Sequence, residues 1–405
     1  MVACRACGTP VEKFMSFGRQ PIANRFLEPG GTQSEYFFEM EVGTCPKCTL
    51  FQLIEQPDPG MMFHDTYAFF SQTSKGMQAH FEGFATYVKD TFLKGDDPFV
   101  VEIGSNDGIM LRHFLAAGIR HLGVEPSSNV ADAARQAGID TISVFFGVDT
   151  AAAIAEERGL ADAIFAANVI CHIPDIAGVA RGVARLLKPT GVFVFEDPYL
   201  GDVLEKTSYD QIYDEHVFLF SALSVRNAFA PHGLELIDCI PQPTHGGSMR
   251  YVLGRQGQHP VSERVSERVA WEEARGLGRA ETFQEFARAC ERSRDALVSL
   301  LKELKESGKT VVGYAATSKS TTVLNYCGIG PDLISYISDT TPIKQGRLSP
   351  GMHIPVRPYA DFLADKPDYA VLFAWNHRNE IMAKEEGYMQ RGGKWIRFVP
   401  DVGIE

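Results

Sequence analysis

Tyr213, Asp214, Glu215 and His216 place three kinds of proton-handling side chain within four positions. A neutral imidazole titrates at about pH 6.5 and can accept a proton near neutrality. A carboxylate beside it raises its basicity, and a phenol can donate to a developing oxyanion. If the segment is helical, Tyr213 and His216 share a face at i, i+3. Phe218 and Phe220 follow and are able to shield such a site from water. The alternative is a solvated surface turn.

A second group is metal-binding in type. Cys4 and Cys7 form one C-x-x-C, Cys45 and Cys48 another. This spacing lets both thiolates of a knuckle reach one tetrahedral zinc at about 2.3 Å. Four thiolates leave no open position, so the expected Zn2+ is structural. The gap between the pairs is long for a zinc knuckle, so the segment between them must form its own hairpin or loop. A segment this short has a marginal core and needs the staple. Two unrelated reduced pairs are the alternative. The other four cysteines are scattered, too sparse for a disulfide scaffold.

A third group lies around residue 104. FVVEIGSNDG reads as a buried strand, Phe99 to Ile103, running into a glycine-flanked turn. HLGVEP follows as a strand ending at Glu125, where a carboxylate can accept both hydroxyls of a ribose. The turn is not G-x-G-x-x-G, and Asp107 within it disfavours a pyrophosphate and suits a positively charged ligand. These motifs resemble those of class I methyltransferases, and the resemblance implies S-adenosylmethionine. Candidate donor-binding residues are Glu102, Gly104, Asn106, Asp107, Glu125, Pro126 and Asn168. A dehydrogenase-like fold with a degenerate loop is the alternative.

The elements that must position these groups alternate. After HLGVEP come a helix (ADAARQAG), a strand (DAIFAANVI), a helix (IAGVARGVARLLK) and a strand (GVFVFEDP). Such alternation implies a doubly wound parallel sheet, with ligands at the carboxyl ends of the strands. His172 ends one strand and should face that crevice, although an isolated histidine is often structural. Glu196 and Asp197 end the next, where Asp197-Pro198 also suits a plain turn. Tyr67 opens YAFFSQTSKGM just before the sheet. THGGSMR, residues 244 to 250, offers small residues beside His245 and Arg250, and equally suits a hairpin turn.

Residues 261–307 are charged and periodic, with Phe283, Phe286, Cys290, Leu297, Leu300 and Leu304 on one face. One long amphipathic helix between domains is expected. TVVGYAA begins a second α/β unit, LISYISD ends a strand at Asp339, and YAVLFAW is a later strand. The loop TSKSTT offers hydroxyls, Lys319 and a helix N-terminus, which suits a phosphate. Ser318 and Lys319 are expected near a diphosphate, with Asn376 and His377 on another strand end. A packing domain with an ordinary capped helix is the alternative.

The 405 residues are 45% hydrophobic and 22% charged, with a net charge of -12. That is globular composition with ample core. The acidic balance argues against nucleic acid and anionic membranes as partners. No apolar run approaches the length of a membrane span, and MVACRACG lacks a signal peptide's hydrophobic segment. A soluble, cytoplasmic protein is expected.

Taken together, the four cysteines, EIGSNDG, NVICHIPD, FEDPYL, YDEHVFLFS, HGGSMR and GYAATSKSTTVLNY resemble the nucleotide-sugar C-methyltransferases of antibiotic deoxysugar biosynthesis, the C-3′-methyltransferases acting on TDP-4-keto-deoxyhexoses. The resemblance runs over nearly the whole chain. It implies an α/β protein with a small zinc-binding domain (1–62), a class I, Rossmann-like methyltransferase domain (63–258), a helical connector (259–307) and a C-terminal Rossmann-like domain (308–405) that helps hold the nucleotide sugar. Carried across residue by residue, the active-site tyrosine before the sheet falls on Tyr67 and the strand-end histidine on His172. Tyr213, Glu215 and His216 fill the Y-D-E-H motif, with His216 the base assisted by Glu215. His245, Gly246, Ser318, Lys319, Asn376 and His377 would contact the substrate. A ketone at C4 makes the C3 hydrogen acidic, so base-generated enolate chemistry is expected, with no metal at the reaction. The chain is expected to act as a monomer. Another nucleotide sugar or carbon position, or a zinc-knuckle binding protein with a vestigial methyltransferase fold, are the competing readings.

Overall fold

The computed structural model describes residues 2–62 and 75–405, so Tyr67 lies outside the described residues. Among them, three sheets follow one another along the chain. In the first, Glu12–Pro21 and Phe37–Thr44 form the hairpin that the long gap between the cysteine pairs requires, and Phe51–Leu53 extends it. Its fourth strand is Phe218–Leu219, which directly follows the Y-D-E-H segment. Phe51 pairs with Leu219 and Gln52 with Phe218.

The central sheet has seven strands, ordered Leu234–Gln242, Ser248–Arg255, Leu187–Pro198, Ala161–Ala167, Phe99–Ile103, Arg120–Val124 and Thr141–Ile142. The last five are parallel, as continuous apolar runs such as AIFAA and VFVF demand. The first two form an antiparallel hairpin added at one edge. Residues 244–247 are the connection of that hairpin, so THGG is a turn. The strand order reverses between Phe99–Ile103 and Ala161–Ala167, which opens a crevice there.

The third sheet runs Val356–Pro358, Ile337–Asp339, Val311–Tyr314, Tyr369–Leu372 and Lys394–Arg397 in parallel, with Gly403–Ile404 antiparallel at its edge. Its reversal falls between Val311–Tyr314 and Tyr369–Leu372, so the loops holding Ser318 and Trp375 meet across a second crevice.

The expected single helix over 261–307 is two helices, Glu263–Ala274 and Ala280–Glu306. The break falls at R-G-L-G-R, where Gly276 takes a φ of +75° that a side chain would resist. In the second helix, Phe283, Phe286, Cys290, Leu297, Leu301 and Leu304 are buried; Leu301 takes the inward place expected for Leu300, which is only partly covered. Phe283 packs on Phe14, with ring centroids 5.1 Å apart. Met15, Phe17 and Phe26 of the N-terminal segment share one core with Tyr209, Ile212 and Leu219 of the middle and Val323 and Leu324 of the C-terminal fold. Each fully buried side chain of this kind contributes about 1.5–3 kcal/mol. The three parts are therefore welded together by packing. No helix among the described residues is long and apolar enough to cross a membrane.

Candidate active site

The four cysteines form one cluster. Cys4 and Cys48 sulfurs are 3.5 Å apart, as are those of Cys7 and Cys45, and all four lie within 4.8 Å of one another. A tetrahedral zinc with bonds of about 2.3 Å sets its sulfurs roughly 3.8 Å apart, so the cluster fits the ion. The bond between Cys4 and Cys48 draws the Cys4 thiol below its ordinary value and pushes Cys48 up. A ready thiolate favours metal uptake.

At the reversal point of the central sheet, Gly104 has a φ of +67°, and a Cβ there would run into Val169. The turn it opens brings Glu102, Asp107 and Glu125 together; burial, then Glu125 and Asp107, push the Glu102 carboxyl up. A cationic ligand would relieve this crowding of carboxylates. Glu125 accepts from the Asn106 and Ser127 amides at 2.9 and 2.8 Å, one with each oxygen. Each oxygen retains a lone pair for a hydroxyl. Glu102 Oε2, Ser105 Oγ and Asn168 Oδ1 are buried without a hydrogen-bond partner among the described residues. Pro126 follows Glu125 and Asn168 stands at the facing strand end with a φ of 56°. The cradle thus fits S-adenosylmethionine, whose cationic and hydroxyl groups match the carboxylates and orphaned atoms.

The Y-D-E-H segment is neither helical nor solvated. It is a turn in which the His216 amide donates to the Tyr213 carbonyl at 2.9 Å, and Asp214, Glu215 and His216 are buried. The turn still brings Tyr213 and His216 together. His216 Nδ1 lies 2.7 Å from the Gln211 carbonyl and Nε2 lies 2.8 Å from the Tyr213 hydroxyl. A carbonyl only accepts, so Nδ1 carries the hydrogen and Nε2 presents a lone pair. Burial, aided by His172, holds His216 well below its ordinary range, so the ring is neutral at pH 7. His172, on the helical turn Ile170–His172, has its ring centroid 5.3 Å from that of His216, and burial holds it at about 4. Glu215 does not hydrogen-bond the His216 ring in this geometry; its Oε1 accepts from Asn24 Nδ2 at 2.7 Å. Burial pushes Glu215 up, while Asn24 and Lys344 draw it down.

Glu196 and Asp197 at the adjacent strand end are both fully buried. Glu196 accepts from Arg250 at 3.0 Å and from Thr244 at 3.0 Å and meets His80 at 2.6 Å. Asp197 accepts from the Cys171 amide at 3.0 Å, and burial pushes it up to about 8.

A pocket of about 590 Å³ is lined by Lys206, Gly246, Gly247, Trp375, Asn376 and His377 among others. His245 takes a φ of 54°, and burial beside Lys319 holds its ring at about 3. Lys319, in the first turn of helix Ser318–Cys327, donates to the His245 carbonyl at 3.3 Å and lies 5.6 Å from the Trp375 ring centre. Trp375 donates to Asp210 at 2.6 Å. The structure thus gathers His245, Gly246, Lys319, Asn376 and His377 in one place. Ser318 is drawn aside, donating to Asn24 at 2.9 Å.

Sequence reasoning missed Asn24, Gln211, Asp210, Trp375 and Lys344. Gln211 acts through its carbonyl, which no side-chain pattern reveals. Asn24 meets Glu215 across 191 residues of chain. Asp210 stands three residues before Tyr213, and a third carboxylate so close to Asp214 and Glu215 was a usable signal.

Comparison with known proteins agrees along the whole chain. Residues 4–63 match a family profile described as a zinc binding domain, 71–238 a methyltransferase domain, and 243–400 a C-methyltransferase C-terminal domain. The C-methyltransferase NovU of Streptomyces niveus is 34% identical over 401 residues, covering 98% of this chain and 95% of NovU. Among solved structures, the CcbJ methyltransferase of Streptomyces caelestis aligns over 47% of this chain and 96% of its own, at 14% identity and a TM-score of 0.36. Magnesium protoporphyrin IX methyltransferase from Synechocystis PCC 6803, with bound SAM, aligns over 45% and 80%, at 14% identity and a TM-score of 0.34. With a four-thiol zinc cluster, a donor cradle and full-length similarity to NovU, this chain belongs to the family of S-adenosylmethionine-dependent C-methyltransferases.

Proposed function

We propose that the protein methylates C3 of a TDP-linked 4-keto-deoxyhexose, as in the assembly of antibiotic deoxysugars, by way of an enolate. The observation that carries this reading is the Tyr213–His216 pair with His172 beside it, close to the strand ends that form the donor cradle. A sugar carbon must first lose a proton to become a nucleophile. The C4 ketone delocalises the resulting charge onto oxygen.

His216 is the base. Its neutral ring takes the C3 proton on Nε2, the Tyr213 hydroxyl either turning aside or relaying it. His172 donates to the enolate oxygen. Glu215 supports the turn, and family resemblance gives Tyr67 a part in the reaction. Glu102, Gly104, Asn106, Asp107, Glu125, Pro126 and Asn168 would hold S-adenosylmethionine, which when bound would supply the electrophilic methyl group and leave as S-adenosylhomocysteine. His245, Gly246, Lys319, Asn376 and His377 hold the nucleotide sugar, with Lys319 toward the diphosphate.

The test is incubation of the protein with TDP-4-keto-deoxyhexoses and methyl-labelled S-adenosylmethionine, read by mass analysis of the sugar. A labelled methyl at C3 is expected. His216→Asn should abolish solvent exchange of the C3 hydrogen and spare donor binding. No labelled sugar, or exchange at the normal rate in His216→Asn, overturns the reading.

A further inference from the structure

The turn that carries Tyr213 and His216 is gripped from outside its own domain. The Leu53 amide donates to the Val217 carbonyl at 2.8 Å, and the Ala23 amide to Asp214 Oδ1 at 3.0 Å. From the C-terminal fold, Thr322 donates to the Ile212 carbonyl at 2.8 Å and Thr321 to the Ala23 carbonyl at 2.9 Å. Asn24 stands where these two grips meet. Its Oδ1 accepts from the Ser318 hydroxyl at 2.9 Å and its Nδ2 donates to Glu215 Oε1 at 2.7 Å. The carboxylate fixes this orientation, because the flipped amide would set oxygen against oxygen.

We propose that Asn24, contributed by the zinc-binding segment, is a positioning residue of the reaction: its amide, aligned by the Ser318 hydroxyl, holds the Glu215 carboxylate in place at the catalytic turn. The inference rests on the reading that this turn carries the proton transfer. Glu215 is almost wholly buried, so a charge-assisted bond there is strong and its loss is felt in full. Among the described residues, the other charged or titratable groups facing Glu215 are Asp214 on its own turn, Lys344 from the C-terminal fold and Cys171 from the helical turn after Ala161–Ala167. Of these neighbours, Asn24 makes the direct hydrogen bond, and it favours the ionised carboxylate.

The test uses the full-length zinc-loaded protein. Infrared titration follows the Glu215 carboxyl band, identified by its loss in Glu215→Gln; this needs no substrate. In parallel, solvent exchange of the C3 hydrogen of a TDP-4-keto-6-deoxyhexose is measured against pH. In Asn24→Ala the carboxyl midpoint and the acid limb of exchange should move to higher pH, and exchange should slow about 10- to 100-fold, with zinc content unchanged. Asn24→Asp keeps the acceptor for Ser318, removes the donor and sets a second carboxyl against Glu215, so its shift should be larger. It is isosteric and reports if the alanine variant does not fold. A merely structural asparagine would lower the melting temperature without moving the midpoint. Midpoint and acid limb at the wild-type position in both variants overturn the proposal. If Glu215→Gln is slow while the Asn24 variants are normal, this inference alone fails. If Glu215→Gln exchanges at the wild-type rate, the reading of the turn fails with it.

Discussion

The Tyr213 hydroxyl, 2.8 Å from His216 Nε2, is the donor in their bond, because the opposite ring nitrogen is committed to the Gln211 carbonyl. The tautomer of the base is thereby set by the backbone, and the phenol covers the lone pair until a substrate arrives. Tyr213→Phe keeps the ring and deletes the bond. Exchange of the C3 hydrogen should fall about 100-fold or more, while donor affinity by calorimetry stays within about twofold. An unchanged exchange rate would remove Tyr213 from the proton path.

Zinc removal should reach the catalytic turn. The cysteine knuckles anchor the sheet whose outer strand is Phe218–Leu219, two residues beyond His216. Chelation should lower C3 exchange at least about tenfold before donor binding is lost, and added zinc should restore it. Metal-free protein that exchanges normally would make the zinc domain a bystander.

Lys319 is buried between Asp210, Trp375 and the His245 carbonyl, and burial draws its pKa down while Asp210 raises it. Lys319→Ala should raise the KM for the sugar nucleotide about tenfold or more and leave that for S-adenosylmethionine nearly unchanged. Equal effects on both would place the lysine outside the substrate site. The variant should also melt earlier, because Asp210 is left buried without its cation.

Asp197 yields a prediction about pH and stability. Burial raises its carboxyl from an ordinary 3.8 to about 8, so the folded chain binds this proton more tightly than the unfolded chain. Its contribution is complete below the unfolded value and is lost as pH rises through the folded one. Asp197→Asn mimics the neutral form and still accepts from the Cys171 amide. Melting temperatures of the variant should depend less on pH between about 4 and 8 and exceed wild type at the alkaline end. Parallel curves for the two proteins would argue against a neutral Asp197.

The βα alternation could be read from the chain because runs such as AIFAA and GVFVF are continuous in apolar residues, the second ending at Glu196 and Asp197. The cysteine cluster was legible because its spacing is a local constraint. The helix break was missed although R-G-L-G-R carried the signal, because the flanking heptad-like periodicity continues through it. The added hairpin was weighed only as a turn, although Leu234–Gln242 and Ser248–Arg255 flank it as strands of nine and eight residues. The links that hold Glu215 and His216 were not legible. They run from Asn24 and from a backbone carbonyl, and neither a distant amide nor a peptide oxygen leaves a pattern in sequence.

The borrowed fourth strand also bears on biogenesis. The first sixty residues leave the ribosome long before Phe218 and Leu219 exist, so their sheet emerges with an open edge at Phe51–Leu53. Such an edge invites pairing with other chains until it is covered. The nascent N-terminus must therefore wait, metal-bound but unfinished, for the middle of the polypeptide to close it. A fragment ending before residue 218 should aggregate where the complete chain does not.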